Sequence, residues 1–177
     1  MNSSAIDQLR SAIRNVPDFP QPGIIFKDIT PVLGDAKLLS QAIDGMAEVV
    51  AGKHLDKVVG IDARGFIFGA MLAQKLGIGF VPARKKGKLP WKTRGLDYAL
   101  EYGTASLEIH EDAIIPGEDI LLADDLLATG GTAGAALELM KQSGANIVAS
   151  VFFIELEFLS GRDKVAGYGP VHSLLTY

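Results

Sequence analysis

The chain contains no cysteine, and only three of its 177 residues are histidine. The absence of cysteine excludes disulfide bonds and metal sites built from thiolates, and it is compatible with a reducing compartment. His54, His110 and His172 lie far apart in the sequence. Their spacing is not that of a metal site, so we expect each histidine to be structural or exposed.

Basic residues and long apolar runs are also scarce. The net charge is −4 and the pI is about 5.3, which argues against general nucleic-acid binding, because that activity needs a basic face. The longest apolar runs are too short to span a bilayer. The first fifteen residues lack the basic start and apolar run of a signal peptide. We therefore expect a cytoplasmic protein with neither membrane nor nucleic acid as a partner.

What the chain does have is enough apolar material for one core. Hydrophobic residues make up 48% of the sequence, and the length suits one domain over residues 1–177. Short apolar strands alternate with amphipathic or apolar helices. This alternation predicts an α/β fold with a mostly parallel central sheet flanked by helices. The predicted strands are 57–61, 79–83, 119–123 and 147–154, and the predicted helices between them include 66–76 and 132–143.

Two segments interrupt this alternation. Residues 16–31 are rich in proline, and we expect an ordered but irregular segment there. Residues 85–102 carry glycines, a proline and many charges, which predicts a long loop with short strands at its edges. A loop of this length in a compact domain is often a lid. Ligands of such sheets bind at the carboxyl ends of the strands, which directs attention to the turns after Ile61 and Ala123.

The strongest motif follows the predicted strand 119–123 and reads Asp124-Asp125-Leu126-Leu127-Ala128-Thr129-Gly130-Gly131-Thr132. Its two glycines permit tight turns and a close approach to a ligand. Backbone amides at the start of the next helix attract an anion such as phosphate, and the two threonine hydroxyls add donors. The paired aspartates are placed to accept hydrogen bonds from ribose hydroxyls. The spacing is neither that of a Walker loop nor that of a dinucleotide fingerprint.

This motif resembles the phosphoribosyl diphosphate motif of the type I phosphoribosyltransferases, and its Leu-Leu-Ala-Thr-Gly-Gly-Thr form is similar to the adenine-using branch. Four other segments match that branch in the same order, and the resemblance covers about residues 19–177. These segments are 19–33, 63–66, 84–90 and 100–103. The resemblance implies a Rossmann-like fold with an N-terminal helix and base-binding hood over about residues 1–34. It also implies a flexible lid over about residues 85–104.

The resemblance further implies the reaction of adenine with phosphoribosyl diphosphate to give AMP and pyrophosphate. Magnesium (Mg²⁺) would be held mainly by substrate phosphates and water, with little dedicated protein ligation. A homodimer is implied in the same way. The turn Asp62-Ala63-Arg64-Gly65 resembles the pyrophosphate loop of the family, which often carries a strained non-proline peptide bond.

The family pattern also assigns roles to single residues. Arg64 and Glu101 are the implied catalytic residues, and Glu101 would accept a proton from the purine or stabilise the cationic sugar. The phosphoribosyl group would be bound by Asp124, Asp125, Ala128, Thr129, Gly130, Gly131 and Thr132. The pyrophosphate and lid residues would be Ala63, Arg64, Arg84, Lys88 and Tyr102, with Arg84 also reaching the neighbouring subunit. Adenine would meet Ile25, Phe26, Lys27 and Leu156. Lys27 stands where the family commonly has an arginine.

Three other interpretations stay open. A sibling transferase would use hypoxanthine, xanthine or orotate, although the N-terminal hood and the motif form argue against it. A non-catalytic regulator that senses phosphoribosyl diphosphate and binds DNA would need a basic helical module, for which the chain has neither room nor charge. A generic phosphate-binding α/β module leaves Arg64, the lid and the paired aspartates unexplained.

Overall fold

The structure is a computed structural model that describes residues 3–99 and 104–177. Strands and helices alternate through the central part of the chain. The helices are α1 (Ser3–Ala12), α2 (Thr30–Leu33), α3 (Ala36–Glu48), α4 (Gly65–Leu76), α5 (Gly131–Gln142) and α6 (Gly161–Val165). The strands are β1 (Arg14–Pro17), β2 (Ile25–Asp28), β3 (Lys57–Ile61), β4 (Gly79–Lys85), β5 (Thr93–Ala99), β6 (Thr104–His110), β7 (Asp119–Leu127), β8 (Asn146–Glu155) and β9 (Val171–Thr176).

Seven strands form the central sheet, in the order β5-β6-β4-β3-β7-β8-β9. Strand β3 is parallel to both β4 and β7, and β8 is parallel to both β7 and β9. Strand β6 is antiparallel to its two neighbours, β4 and β5. The predicted α/β class with a mostly parallel sheet is therefore confirmed.

The core lies on both faces of this sheet, as the side-chain alternation of a strand requires. In β7, Leu121 packs in the cluster that contains Phe68 and Phe153, whose rings stack with centroids 5.1 Å apart. The next residue, Leu122, packs in the opposite cluster, with Leu137 of α5. Because both faces of β7 are covered, its residues from Ile120 to Ala123 form a continuous apolar run rather than an alternating one.

The proline-rich N-terminal segment is more regular than expected. Strands β1 and β2 pair antiparallel, with Arg14 opposite Asp28 and Pro17 opposite Ile25. Pro20 and Pro22 lie in the connection between the strands, where they remove no ladder hydrogen bond. The prediction of an irregular segment holds for residues 18–24 but was wrong for the paired strands on either side, because Pro20 and Pro22 lie in the turn and do not prevent pairing.

Part of the segment predicted as a long loop also forms regular structure. Strand β5 pairs with β6 over seven residue pairs, from Thr93 opposite His110 to Ala99 opposite Thr104. Among the described residues of this segment, the stretch between β4 and β5 that belongs to no strand is residues 86–92, which is shorter than we expected. Closure of this segment as a lid stays a prediction, and the predicted site residues Glu101 and Tyr102 lie outside the described residues. Within residues 3–99 and 104–177, no helix has the length and apolarity that crossing a membrane requires.

Candidate functional site

The two strand-to-helix turns singled out in the sequence meet at one cavity. It has a volume of about 320 Å³ and is lined by residues 61–64 after β3 and by residues 124–133 around the end of β7. The strands are direct parallel neighbours, so their carboxyl ends bring the two turns together. The predicted phosphoribosyl-binding motif and the pair Ala63 and Arg64 therefore surround the same space.

Helix α5 begins in the wall of this cavity. Gly130 precedes the helix with a φ of 76°, a left-handed conformation that glycine adopts without steric cost. No side chain in the described part of the chain caps this helix, and the first amides of any helix lack acceptors within it. The hydroxyl oxygen of Thr132 lies 3.2 Å from the hydroxyl oxygen of Tyr98 on β5. The cavity thus presents unfilled donors and the positive end of a helix dipole.

Asp124 and Asp125 are largely buried, although we expected them to be accessible to a ribose. They are 9% and 7% exposed, yet both line the cavity. Asp124 accepts a hydrogen bond of 2.8 Å from the backbone amide of Asp125. Burial, followed by the nearby charge of Asp125, raises the pKa of Asp124 well above its ordinary value. The pair is therefore a desolvated group on the cavity wall.

Helix α4 approaches this wall closely at its first residue. A Cβ atom added to Gly65 would lie 2.3 Å from the Oδ1 atom of Asp124. A side chain of any size would displace the carboxylate, so only glycine fits this position. The sequence Ala63-Arg64-Gly65 places this glycine at the last position of the predicted pyrophosphate turn.

Arg64 has a partner that the sequence did not reveal. Its Nε atom donates to the Oδ2 atom of Asp125 at 2.5 Å, and its side chain is 45% exposed. The carboxylate explains how a cation is tolerated at the positive start of α4. The guanidinium also lies 5.5 Å from the centre of the Phe26 ring, which connects the cavity to the N-terminal hairpin.

The turn after β3 is held from its other side by Arg84. The peptide bond between Asp62 and Ala63 is a non-proline bond in the cis form, in the turn where the resemblance implied an unusual bond. The Nε atom of Arg84 donates to Asp62 at 3.0 Å, and its Nη1 atom donates to the carbonyl of Lys88 at 3.0 Å. Arg84 therefore has partners in its own chain, and its predicted reach into a second subunit stays a prediction.

The predicted base-binding residues lie on β2 and after β8. Ile25 is 59% exposed, whereas the ring of Phe26 packs edge-on against Phe19 at 5.1 Å. Lys27 donates to Asn15 at 2.7 Å, and its ammonium lies 4.2 Å from the centre of the Tyr177 ring. The side chain of Lys27 is therefore engaged in local contacts.

Leu156 is tied to the phosphate side of the cavity by its backbone. Its amide donates to the carbonyl of Leu127 at 2.9 Å, and Leu127 lines the cavity. The structure thus places Leu156 beside the cavity wall, in a position compatible with the predicted contact to a flat base.

Comparison with known proteins identifies the family of this site. Residues 32–172 match the phosphoribosyl transferase domain. The adenine phosphoribosyltransferase of Nitrosococcus oceani is 51% identical over 172 residues, which are 97% of this chain and 100% of that protein. The chain belongs to the adenine phosphoribosyltransferase family.

Solved structures agree with this assignment. The adenine phosphoribosyltransferase of Rhodothermus marinus superposes with a TM-score of 0.95 at 52% identity, over 99% of this chain and 100% of that one. The enzyme of Saccharomyces cerevisiae, in complex with an imino-altritol bisphosphate and adenine, superposes with a TM-score of 0.92 at 40% identity. That match covers 98% of this chain and 99% of the yeast chain. The predicted family, fold and transferase class are confirmed.

Phosphoribosyltransferases generally use magnesium, and the cavity of this phosphoribosyltransferase has a fitting donor set. The carboxylates of Asp124 and Asp125 line it, and carboxylate oxygens are ligands that Mg²⁺ accepts. A different cluster was missed in the sequence, because its members come from two distant segments, the residues just before β3 and the start of β7. The possible ligand atoms of His54, Asp56 and Asp119 lie within 4.8 Å of one another. This cluster lies at the amino ends of β3 and β7, opposite the cavity, so it is not placed to bind the substrate's metal.

Proposed function

We propose that the cavity binds phosphoribosyl diphosphate and adenine, and that the chain converts them to AMP and pyrophosphate. The observation that carries this proposal is the shared cavity of the turns after β3 and β7. It combines an uncapped helix start, two aspartates and one arginine in about 320 Å³. A generic phosphate-binding loop would need only the first of these features.

The phosphate of the ribose would bind at the start of α5. The amides from Ala128 to Thr132, with the hydroxyls of Thr129 and Thr132, supply donors there, and the helix dipole favours negative charge. Because Gly130 and Gly131 lack side chains, the backbone can approach the phosphate oxygens closely. Nothing in this step requires a cationic side chain.

Asp124 and Asp125 would hold the two ribose hydroxyls. A carboxylate accepts hydrogen bonds from hydroxyl groups, and such bonds stabilise its charged form. Asp125 is already paired with Arg64, while burial disfavours the charge of Asp124. Hydrogen bonds from the ribose hydroxyls would therefore stabilise the charged form of Asp124, which burial destabilises.

Pyrophosphate would leave towards the turn after β3. We assign to it the exposed part of the Arg64 guanidinium, the backbone of Ala63 and the ammonium of Lys88. Arg84 and Tyr102 are assigned to the same group. Magnesium, when bound to the substrate, supplies further positive charge for the leaving group. The bond from the sugar C1 atom to pyrophosphate breaks, and a new bond forms from C1 to a ring nitrogen of adenine.

Adenine would lie between the N-terminal hairpin and the segment after β8. We assign the ring faces to Phe26 and Leu156 and the ring edge to the backbone of Ile25 and Lys27. The local contacts of the Lys27 side chain support base reading by the backbone. Glu101 would accept the proton that the ring nitrogen loses, or stabilise the cationic sugar electrostatically.

The remaining parts of the proposal concern the whole protein. We propose one domain over residues 1–177, with a hood over about 1–34 and a lid over about 85–104. We also propose a homodimer in which Arg84 reaches the second site, and a cytoplasmic location. A dimer would be recognised by light scattering, and the Arg84 role by mixing subunits with and without Arg84→Ala.

The test compares AMP formation from adenine with turnover of hypoxanthine and orotate, each with phosphoribosyl diphosphate and magnesium. A spectrophotometric assay follows base consumption. We expect adenine to be used fastest by a wide margin. If adenine came last, the proposed substrate would be wrong, and salt-dependent DNA binding without any turnover would favour a regulator.

A further inference from the structure

Residues 128–132, the phosphate loop, are supported from behind by residues 160–162, to which no role has been assigned. Gly161 is buried and packs directly on the loop backbone. A Cβ atom added to Gly161 would lie 2.0 Å from the carbonyl oxygen of Ala128 and 2.8 Å from the amide nitrogen of Gly130. No side chain fits in that space, so any other residue must displace one of the two segments.

The contact is reciprocal. A Cβ atom added to Gly130 would lie 2.4 Å from the carbonyl oxygen of Gly161. These two glycines, which are 31 residues apart in the sequence, thus allow two backbone segments to come into contact. Gly130 also directly precedes α5, whose first amides we assign to the phosphate. The position of Gly161 therefore affects the position of these donors.

Arg162 fixes this support to the sheet. It donates from Nε to the carboxylate of Glu155 at 2.9 Å and from Nη1 to the carbonyl of Val171 at 2.7 Å, and its Nη2 atom also pairs with Glu155. Glu155 is only 3% exposed, and it accepts a further hydrogen bond from Ser173 at 2.6 Å. A bidentate arginine on a buried carboxylate gives a fixed geometry that a flexible lysine does not reproduce.

We propose that Gly161 and Arg162 form a clamp that positions the phosphate loop for the phosphorylated substrate. Arg162 holds the start of α6 to β8 and β9, and Gly161 transmits this fixed position to Ala128 and Gly130. Both are positioning residues, since neither is assigned a contact with substrate. The inference rests on the proposed function of the loop in binding the ribose phosphate.

The first experiment measures ligand binding in the Gly161→Ala variant by calorimetry, with ribose 5-phosphate and adenine as separate probes. Loss of a well-placed hydrogen-bond donor to a charged group weakens binding by about tenfold to a hundredfold. We expect the Kd for ribose 5-phosphate to rise by roughly ten- to a hundredfold. The Kd for adenine changes much less, because the displaced atoms belong to the phosphate side.

Gly167→Ala is the matched control. It introduces the same methyl group only six positions away, but a Cβ atom at Gly167 meets nothing within 4 Å. We expect its affinities for both probes to equal those of the unsubstituted protein. Thermal unfolding of all variants is recorded alongside, since a residue with a merely structural role would lower Tm and leave both dissociation constants unchanged. That result would overturn the proposal, as would a selective loss of adenine binding.

If Gly161→Ala does not fold, the Arg162→Lys variant tests the proposal instead. The lysine retains a charge for Glu155 but cannot make the forked contact, so we expect a rise in the Kd for ribose 5-phosphate of roughly three- to tenfold. An unchanged Kd in a folded Arg162→Lys variant would refute the clamp. Failure of the proposed function is separately visible, because the unsubstituted protein would then make no AMP, whatever the clamp variants bind.

Discussion

The pair of Arg64 and Asp125 allows a quantitative test of the cavity's electrostatics. Removing Arg64 by substitution with alanine leaves Asp125, which is 7% exposed, beside the buried Asp124 without its cation. Breaking a fully buried ion pair costs about 3–5 kcal/mol. Arg64 is 45% exposed, so solvent screening reduces this figure, and we expect a loss of roughly 1–2 kcal/mol in the free energy of unfolding.

Thermal unfolding without substrate is the assay. In a chain of this size, 1 kcal/mol corresponds to about 2–4 °C in Tm, so Arg64→Ala should lower Tm by about 2–8 °C. Arg14→Ala is the control, because Arg14 is 64% exposed and lies 3.6 Å from its partner Asp28. We expect that control to change stability by less than about 0.5 kcal/mol.

A double-mutant cycle decides whether the loss comes from the pair itself. Asp125→Asn removes the charge that Arg64 compensates, so the double variant should be less destabilised than the sum of the single variants by about 1 kcal/mol. Additive effects, within about 0.3–0.5 kcal/mol, would refute the reasoning and would mean that the 2.5 Å contact contributes nothing to stability.

The remaining predictions concern binding, turnover and pH. Thr132→Val should weaken binding of phosphoribosyl diphosphate about tenfold in calorimetry, because one phosphate donor is lost. Tyr98→Phe is its control, since it removes the same 3.2 Å contact but leaves the Thr132 hydroxyl, and equal losses in both would contradict the assignment. Glu101→Leu should lower kcat more than it weakens substrate binding in steady-state kinetics, whereas an equal loss in binding would indicate a positional role. Burial acts to raise the pKa of Glu155, but hydrogen bonds from Arg162 and Ser173 outweigh it and hold that pKa below its ordinary value of 4.5. The folded-state pKa is depressed, so this contribution to stability is complete above about pH 4.5 and is lost as pH falls through the lower folded value. Glu155→Gln should flatten the acid limb of a Tm–pH profile, and an unchanged limb would contradict the prediction.

The location of the site could be predicted from the sequence because it follows from local patterns and one topological rule. An apolar strand that ends in two aspartates and then a glycine turn predicts a ligand site at its carboxyl end. The turn at Arg64 follows another such strand. Once the two strands are parallel neighbours, the turns must meet, and the cavity is the consequence.

The contacts within the site could not be predicted in the same way. Arg64 and Asp125 are 61 residues apart, and no periodicity links them. Gly161 shows no signal in the sequence, because its importance comes only from the backbone opposite it. The hairpin of β1 and β2 was missed because the proline content was interpreted as a sign of ordered but irregular backbone, whereas the register leaves Pro20 and Pro22 in the turn. Long-range partners decide the first two features, whereas the hairpin is a local pairing whose turn contains the prolines.

The burial of Asp124 has a consequence for the heat of substrate binding. Its carboxyl keeps a proton to higher pH than an exposed aspartate would, because desolvation disfavours its anion. At a pH near this raised pKa, hydrogen bonds from the hydroxyls of a bound sugar would favour the anion, and the proton would be released to the solution as the complex forms. The buffer takes up this proton, and the measured enthalpy of binding should then vary with the buffer's own heat of ionisation.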